Sequence, residues 1–193
     1  MIRAACVSDI PALRRIEDDS FAADRLTRRN FHHLLTKGKV SCLVHEEGGQ
    51  IGGYALLLFR ARVPIARLYS FAVLPRERGN GIGRALLDAC EREALGRNLT
   101  RLRLEVRPDN EAALRMYRAA GFHEIETVAD YYEDHADALR MEKALGAVNP
   151  GKGGAPVTRA GRARSPAKSP LTSRRRLPGR DALEARKPRL ASP

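Results

Sequence analysis

The sequence contains no tryptophan, only three cysteines and no apolar run long enough to cross a membrane. A membrane-spanning helix needs about 20 consecutive apolar residues, whereas the longest run here covers only residues 54–59. The first residues also lack the apolar stretch of a secretory signal peptide, since the charged residues Arg3 and Asp9 follow closely on Met1. We therefore expect a cytoplasmic protein without a membrane partner.

The three cysteines, Cys6, Cys42 and Cys90, are odd in number and widely spaced. This spacing excludes a disulfide framework and a CxxC metal site. Free cysteines are among the most buried residue types. We expect three buried thiols in a reducing compartment and no bound metal.

Acidic residues are scarce at the carboxyl end of the chain. Residues 147–193 contain 12 Lys and Arg but only 2 Asp and Glu, so this segment carries most of the net charge of +12. It is rich in Pro, Gly, Ser and Arg and lacks apolar periodicity, which is typical of disorder. The composition predicts one folded domain, residues 1–146, and a basic disordered tail, residues 147–193. Weak contact with RNA through counterion release is one interpretation of this tail, and an inert extension is another.

Within residues 1–146 the apolar spacing alternates between strand and helix periods. Helices are predicted after Ser8, the expected N-cap of the first one, and over residues 27–35, 82–94 and 110–120. Strands are predicted at residues 2–6, 41–46, 50–59, 66–73, 101–106, 122–128 and 138–143. The residues between the first two helices, 18–25, are predicted to be irregular. The pattern predicts an α/β (α+β) fold with a mixed central sheet of about seven strands flanked by about four helices.

A glycine-rich turn joins the strand at 66–73 to the helix at 82–94, and it reads Arg78-Gly79-Asn80-Gly81-Ile82-Gly83-Arg84. A helix N-terminus offers converging N–H groups and a favourable dipole to a diphosphate, and glycines let the backbone approach it. The spacing fits neither a P-loop, which ends in Gly-Lys-Ser/Thr, nor a G-x-G-x-x-G dinucleotide motif. A phosphate-binding loop is one interpretation, and a turn without a ligand is the other.

The pattern Arg78-x-x-Gly81-x-Gly83 resembles the acetyl-CoA signature of the GCN5-related N-acetyltransferase (GNAT) superfamily. Residues 68–75, 104–113 and 116–122 resemble further segments of that fold in the same order. Within the superfamily, they look most like the bacterial ribosomal-protein N-terminal alanine acetyltransferases. The resemblance spans residues 2–145 and implies a GNAT fold, while the tail has no counterpart.

This resemblance implies acetyl-CoA as the acetyl donor and no metal. The backbone of the strand before the loop would bind the pantetheine arm, and the loop would cover the pyrophosphate. Asn110 matches a family asparagine on the cofactor side, although a simple helix N-cap is an equal interpretation. The implied cofactor-binding residues are Phe71, Ala72, Val73, Arg78, Gly79, Asn80, Gly81, Ile82, Gly83, Arg84 and Asn110.

Two residues of the similar segments are implied to be catalytic. Glu105 would be the general base that deprotonates the incoming amine, and its alternative is a half-exposed strand carboxylate. Tyr117 would protonate the leaving thiolate, and its alternative is a core aromatic. A backbone N–H near Val73 would stabilise the oxyanion. Cys90 is expected on a buried helix face, so no cysteine nucleophile is expected.

The acceptor cleft of this fold would be lined by residues 18–25 and 129–138. The second segment contains Asp130-Tyr131-Tyr132-Glu133-Asp134-His135, whose acidic and aromatic groups suit a cationic peptide amine. The first hypothesis is a protein N-terminal acetyltransferase, with a ribosomal protein as one candidate partner. Acetylation of lysine or of a small-molecule amine is the second. A binding module for acetyl-CoA, tethered to RNA or the ribosome by its tail, is the third. A monomer and a dimer are both compatible with the sequence.

Overall fold

A computed structural model describes residues 1–21, 25–37, 39–146 and 189–190 of the chain. In these residues one sheet has the order β1-β2-β3-β4-β5-β7-β6, and β8 pairs with β4. The strands are β1 (Ile2–Ala4), β2 (Val40–Glu47), β3 (Gln50–Phe59), β4 (Ile65–Val73), β5 (Arg101–Val106), β6 (His123–Val128), β7 (Ala138–Ala144) and β8 (Arg189–Leu190). The helices are α1 (Ile10–Ser20), α2 (Arg28–Lys37), α3 (Ile82–Gly96) and α4 (Glu111–Ala119), with 3₁₀ turns at Val7–Asp9 and Pro75–Glu77.

Helices lie on both faces of the sheet. Adjacent residues of β3 point to opposite faces, so neighbouring side chains contact different helices. Tyr54 contacts Phe31 of α2 edge to face, with ring centroids 5.8 Å apart. Its neighbour Ala55 instead joins the core cluster that contains Leu86 and Cys90 of α3. The predicted mixed sheet with helices on its faces is therefore confirmed.

The sheet opens between its two central strands, β4 and β5. These strands are parallel, and their pairing runs only from Ile65 opposite Arg101 to Leu68 opposite Leu104. The register between β3 and β4 shifts at this point, so that Tyr69 is an extra residue in β4. A bulge of this kind bends a strand and ends its pairing. Beyond Leu68, β4 therefore presents a backbone edge that β5 does not cover.

Part of this edge is paired with a short segment from the end of the chain. In β8, Arg189 lies opposite Ser70 and its neighbour Leu190 lies opposite Phe71, in a parallel arrangement. These two residues fall within the predicted tail. The remainder of that tail, and with it the prediction of disorder and of RNA contact, lies outside the described residues.

The start of α1 differs from the sequence-based expectation. Ser8 is not its N-cap, because a 3₁₀ turn over Val7–Asp9 precedes the helix. The Asp9 carboxylate accepts a hydrogen bond from the Cys6 N–H at 2.8 Å and two from the Arg3 guanidinium at 2.7 and 2.9 Å. This carboxylate therefore closes the start of the 3₁₀ turn, and Asp9 itself occupies the N-cap position of α1 without a side-chain hydrogen bond to that helix.

Two further expectations need correction. Residues 18–20 are helical, so the prediction of an irregular segment is wrong for them; Phe21 and Arg25 lie outside the helices, and residues 22–24 lie outside the described part. Cys42 and Cys90 are buried as expected, but Cys6 is exposed because it lies in the loop after β1. Burial raises the pKa of the Cys42 thiol to about 12 and that of Cys90 further still, so neither is a thiolate near neutral pH. Among the described residues, none of the helices has the length and apolar content to span a membrane.

Candidate active site

The predicted phosphate loop forms the entry to α3. Gly79 and Gly81 have positive φ angles of 82° and 76°, a region that side chains other than glycine rarely adopt. A methyl group added at either glycine would meet no atom within 4 Å, so the space above both is open. The first helical hydrogen bond runs from the Ala85 N–H to the Gly81 carbonyl, at 3.0 Å. The N–H groups of residues 82–84 therefore have no acceptor within the helix and face outward at its start.

The side chains of this loop have separate tasks. The Arg78 Nε donates to the Val73 carbonyl at 3.2 Å, which fastens the loop to the end of β4, and burial lowers the pKa of this guanidinium. Arg84 is half-exposed and pairs with Asp88 one turn later, at 2.8 Å. The Ile82 side chain belongs to the core, so only its backbone is available to a ligand. A set of backbone N–H groups with one exposed arginine is suited to a pyrophosphate.

The pantetheine segment predicted on β4 borders the open edge of the sheet. Phe71, Ala72 and Val73 have fully buried side chains, so a ligand at this place would contact their backbone. On the other side, Val73 lies opposite Gly53 of β3. A Cβ atom at Gly53 would lie 3.0 Å from the Ala72 carbonyl oxygen, so glycine is required for this close approach.

Glu105 is buried rather than half-exposed, with only 1% of its surface accessible. Its Oε1 accepts a hydrogen bond from the Arg140 Nε at 2.8 Å, and its Oε2 accepts one from the Arg67 Nε at 3.2 Å. A carboxylate has about four acceptor positions, and the described residues occupy two of those of Glu105, which leaves two for a water or an amine. The arginines lie on the strands that flank β5, which explains how a buried charge is compensated here.

Tyr117 of α4 is completely buried, and its hydroxyl has no hydrogen-bond partner among the described residues. Its ring meets Phe71 of β4 and Phe122 edge to face, at centroid distances of 6.4 and 5.7 Å. Burial raises the pKa of the Tyr117 hydroxyl well above its ordinary value, with smaller contributions from Cys90 and Tyr132. The group therefore keeps its proton at neutral pH and has a donor to offer to a ligand beside β4.

Asn110 stands at the N-terminus of α4, where its Oδ1 accepts the Ala113 N–H at 3.2 Å. The helix-cap interpretation is therefore confirmed. Contact of this residue with the cofactor stays a prediction.

The connection between β6 and β7 brings aromatic groups toward Glu105. Tyr131 is buried, and its hydroxyl accepts a hydrogen bond from the Arg67 Nη2 at 2.9 Å. Tyr132 packs against it edge to face at 5.2 Å and lies beneath the Arg107 guanidinium, 5.1 Å from the ring centre. Of the other acceptor-lining segment, residues 22–24 lie outside the described part.

Sequence reasoning missed two groups of residues near this site. The first is the pair Arg67 and Arg140. The sequence marks Arg67 as a charged residue in an otherwise apolar strand, but it does not indicate that either arginine contacts Glu105. The second is the buried carboxylate of Glu17, which accepts from the Leu26 N–H at 2.5 Å and from the Tyr54 hydroxyl. The Tyr54 hydroxyl also lies 2.6 Å from the Ser70 hydroxyl on β4. This group connects the segment between α1 and α2 to the open part of β4.

Comparison with known proteins identifies the family. The model of the acetyltransferase (GNAT) family matches residues 10–122. The [ribosomal protein bS18]-alanine N-acetyltransferase of Escherichia coli is 29% identical over 146 residues, covering 69% of this chain and 90% of that protein. The N-alpha-acetyltransferase RimI of Mycobacterium tuberculosis is 37% identical over 102 residues, covering 51% and 63%. The crystal structure of a ribosomal-protein-alanine N-acetyltransferase from Brucella melitensis is 31% identical, with a TM-score of 0.67 and coverage of 75% and 99%.

The family match thus includes β4, the glycine loop, α3, β5 and α4, which together build the site. On this evidence of sequence and fold, the chain belongs to the GNAT family and is an N-acetyltransferase.

Proposed function

We propose that this chain transfers the acetyl group of acetyl-CoA to the α-amine of a protein N-terminus. The observation that carries the proposal is the buried Tyr117 hydroxyl, which has no hydrogen-bond partner in the described part of the chain and whose ring contacts Phe71 of β4. A buried hydroxyl without a partner costs about 1–3 kcal/mol. A ligand with a sulfur or oxygen atom at this place would satisfy it.

Coenzyme A fits the residues around this hydroxyl. The outward N–H groups at the start of α3 and the open space above Gly79 and Gly81 suit its pyrophosphate. The β4 backbone beyond Leu68, which β5 does not cover, offers hydrogen bonds to the amides of its pantetheine arm once β8 is displaced from Ser70 and Phe71. When bound, acetyl-CoA supplies an activated acetyl thioester.

Two side chains of this protein would then remove and supply the protons that move during the transfer. An α-amine has an ordinary pKa of about 8, so it must lose a proton before it attacks. Glu105 takes that proton directly or by way of a water, through one of the two acceptor positions that the described residues leave open. Tyr117, which burial keeps protonated, donates its proton to the departing thiolate. A backbone N–H at the end of β4, near Val73, stabilises the negative oxygen.

The choice of a protein N-terminus as acceptor rests on two further features. Two relatives are named for N-alpha acetylation or for acetylation of bS18-alanine. In this chain the buried Tyr131 and the half-buried Tyr132 pack edge to face as an aromatic wall, and acidic residues follow them at 133 and 134. Such a wall suits the first residues of an extended, positively charged peptide.

A peptide panel tests the acceptor class. Peptides that start with Ala, Ser or Met would be compared with N-terminally blocked peptides that contain lysine, using acetyl-CoA and mass spectrometry. We expect acetylation of the free α-amine, with alanine preferred. Modification of blocked lysine peptides at an equal or higher rate would contradict the proposal.

The same assay tests the catalytic assignment. Glu105→Gln removes the proton acceptor at nearly constant shape, and we expect kcat to fall by about 100-fold or more. Arg101→Gln on the same strand face is the control, because Arg101 is half-exposed and pairs only with Glu142 among the described side chains. Near-normal turnover of Glu105→Gln would remove its role as the base.

A further inference from the structure

We propose that Arg67 is a positioning residue that connects the aromatic wall of Tyr131 and Tyr132 to the carboxylate of Glu105. The inference rests on the proposed function, since it takes Glu105 as the base. Arg67 does not contact the transferred group; it acts through Glu105 and Tyr131.

The position of Arg67 in the sheet is the first argument. It lies opposite Arg103 of β5, one residue before the pairing of β4 and β5 ends at Leu68. Its side chain is therefore anchored where the strands are still hydrogen-bonded. Its guanidinium reaches the groups on the side of the sheet that carries Glu105.

The hydrogen bonds of Arg67 are the second argument. Its Nε donates to Oε2 of Glu105 at 3.2 Å, and its Nη2 donates to the Tyr131 hydroxyl at 2.9 Å. A guanidinium is planar and rigid, so two partners bound by different nitrogens are held at a fixed separation. Displacement of Tyr131 by a peptide would therefore be felt at Glu105.

Arg140 and Arg67 both bind Glu105 but differ in their other partners. Arg140 holds the other oxygen of Glu105 and also pairs with Glu126 of β6, so its contacts stay within the sheet. Arg67 is the one of the two that also binds the connection between β6 and β7. Its side chain is 25% exposed, so an acceptor can approach it.

This arrangement gives the protein a means of acceptor selection. A peptide that packs well on Tyr131 leaves Arg67 and Glu105 in the orientation for proton transfer. A peptide that displaces Tyr131 weakens the hydrogen bond from Arg67 to Glu105, and this peptide is acetylated more slowly.

Steady-state kinetics of the full-length chain test the proposal. For Arg67→Met we expect kcat/KM for an alanine-starting peptide to fall by about tenfold to a hundredfold, the usual effect of losing charged hydrogen bonds. The KM for acetyl-CoA should stay within about twofold. Arg67→Lys keeps the charge but offers one compact donor group instead of two spaced ones, so it should recover only part of the loss.

Arg103→Met is the matched control. Arg103 lies opposite Arg67 and donates two hydrogen bonds to Glu142, at 2.9 and 2.6 Å, with a similar exposure of 30%. The Arg103→Met variant loses an equivalent ion pair on the same sheet face. In the described part of the chain, the hydrogen bonds of Arg103 go to Glu142 and not to Glu105 or Tyr131. Equal losses of peptide kcat/KM in Arg67→Met and Arg103→Met would reduce Arg67 to a structural role.

Tyr131→Phe keeps the test decisive even if Arg67→Met does not fold. It removes only the hydroxyl that Arg67 binds, and we expect the peptide KM to rise by about three- to tenfold, the scale of one hydrogen bond. Combined with Arg67→Lys, its effect should be less than additive, because the two changes break the same link. Full additivity, or an unchanged KM, would overturn the proposal. If Glu105→Gln is active, the proposed function fails; if it is inactive and the Arg67 and Tyr131 variants are normal, only the present inference fails.

Discussion

Tyr117 combines two properties that native structures seldom combine: it is fully buried, and its hydroxyl has no partner among the described residues. Buried polar groups are nearly always hydrogen-bonded, and exceptions tend to mark functional sites. The sequence alone permits a core aromatic at this position. The lack of a partner in the described residues favours the interpretation that the Tyr117 hydroxyl binds a ligand.

Replacing Tyr117 with Phe should separate activity from stability. The variant loses the proton donor, and we expect kcat to fall by about 100-fold. Its free energy of unfolding should be unchanged or about 1 kcal/mol higher, because an unsatisfied hydroxyl is removed. Turnover assays and urea unfolding of the same preparation measure both. A variant that loses stability and keeps its activity would show that Tyr117 is a packing residue.

Asp9 offers a prediction of pH dependence. The hydrogen bonds from Arg3 hold the pKa of this carboxyl at about 2, below its ordinary value of 3.8. A lowered folded-state pKa means that the stabilisation is complete above pH 4 and is lost as the pH falls toward 2. Asp9→Asn should therefore lower the free energy of unfolding by at most about 2 kcal/mol at pH 7. The loss should become progressively smaller below pH 4.

Urea unfolding at pH 7 and at pH 3 measures this difference. Asp88→Asn serves as the control, since Asp88 forms a half-exposed pair with Arg84 that should contribute little. The expected linkage would be contradicted if Asp9→Asn lowered the free energy of unfolding by the same amount at both pH values.

The residues around Glu105 show which part of the site sequence reasoning can reach. Glu105 and Tyr117 were predicted because each lies in a contiguous segment similar to the family. Arg67 and Arg140 were not, because they reach Glu105 across 38 and 35 residues of sequence. These contacts depend on strand order and register, and no local pattern specifies them.

At the scale of the elements, the loop before α3 joins backbone geometry to ligand binding. Gly81 has a left-handed conformation, and its neighbouring space is empty. The loop was predictable from the spacing of its glycines. Gly79 and Gly81 have positive φ angles, which only glycine adopts without strain. The bounds of the helices were less predictable: α1 begins after a 3₁₀ turn that the periodicity does not reveal.

Gly81→Ala should weaken cofactor binding more than it weakens the fold. A side chain at this φ costs about 1–2 kcal/mol of stability. We also expect the KM for acetyl-CoA to rise by about tenfold, since the methyl group enters the space proposed for the pyrophosphate. Kinetics and thermal unfolding measure the two effects.

Gly48→Ala is the matched control for this variant. Gly48 also has a positive φ, 55°, and open space around its Cβ position, but it lies in the turn between β2 and β3. It should show a similar stability loss with an unchanged KM for acetyl-CoA. If both variants raise this KM equally, the loop before α3 has no special role.

At the scale of the whole molecule, charge divides the chain unevenly. The first 146 residues are nearly balanced, with 23 Lys and Arg against 21 Asp and Glu, and the basic excess follows them. In the folded part, several arginines are paired with carboxylates on neighbouring strands, as Arg103 is with Glu142. Contact of the tail with RNA remains a prediction, which the salt dependence of RNA binding with and without residues 147–193 would test.

The last residues of the chain bear on cofactor binding through β8. Removing residues 187–193 should lower the apparent dissociation constant for acetyl-CoA by about twofold or more, because β8 pairs with Phe71 on the edge proposed for pantetheine. Leu190→Pro, which removes one backbone N–H from that strand, should act in the same direction, and Leu190→Ala should not. Calorimetric titration measures the constants. Identical values in all four proteins would show that β8 and the cofactor do not exclude each other.

A strand supplied by the same chain is a competitor that dilution cannot remove. Its effective concentration is fixed by the length of the tail, not by the amount of protein in the tube. Inhibition by β8 would therefore be equally strong in a dilute assay and in a crowded cell, and would yield only to higher acetyl-CoA or to loss of the terminus. A preparation clipped by a protease near residue 187 would then be the more active enzyme.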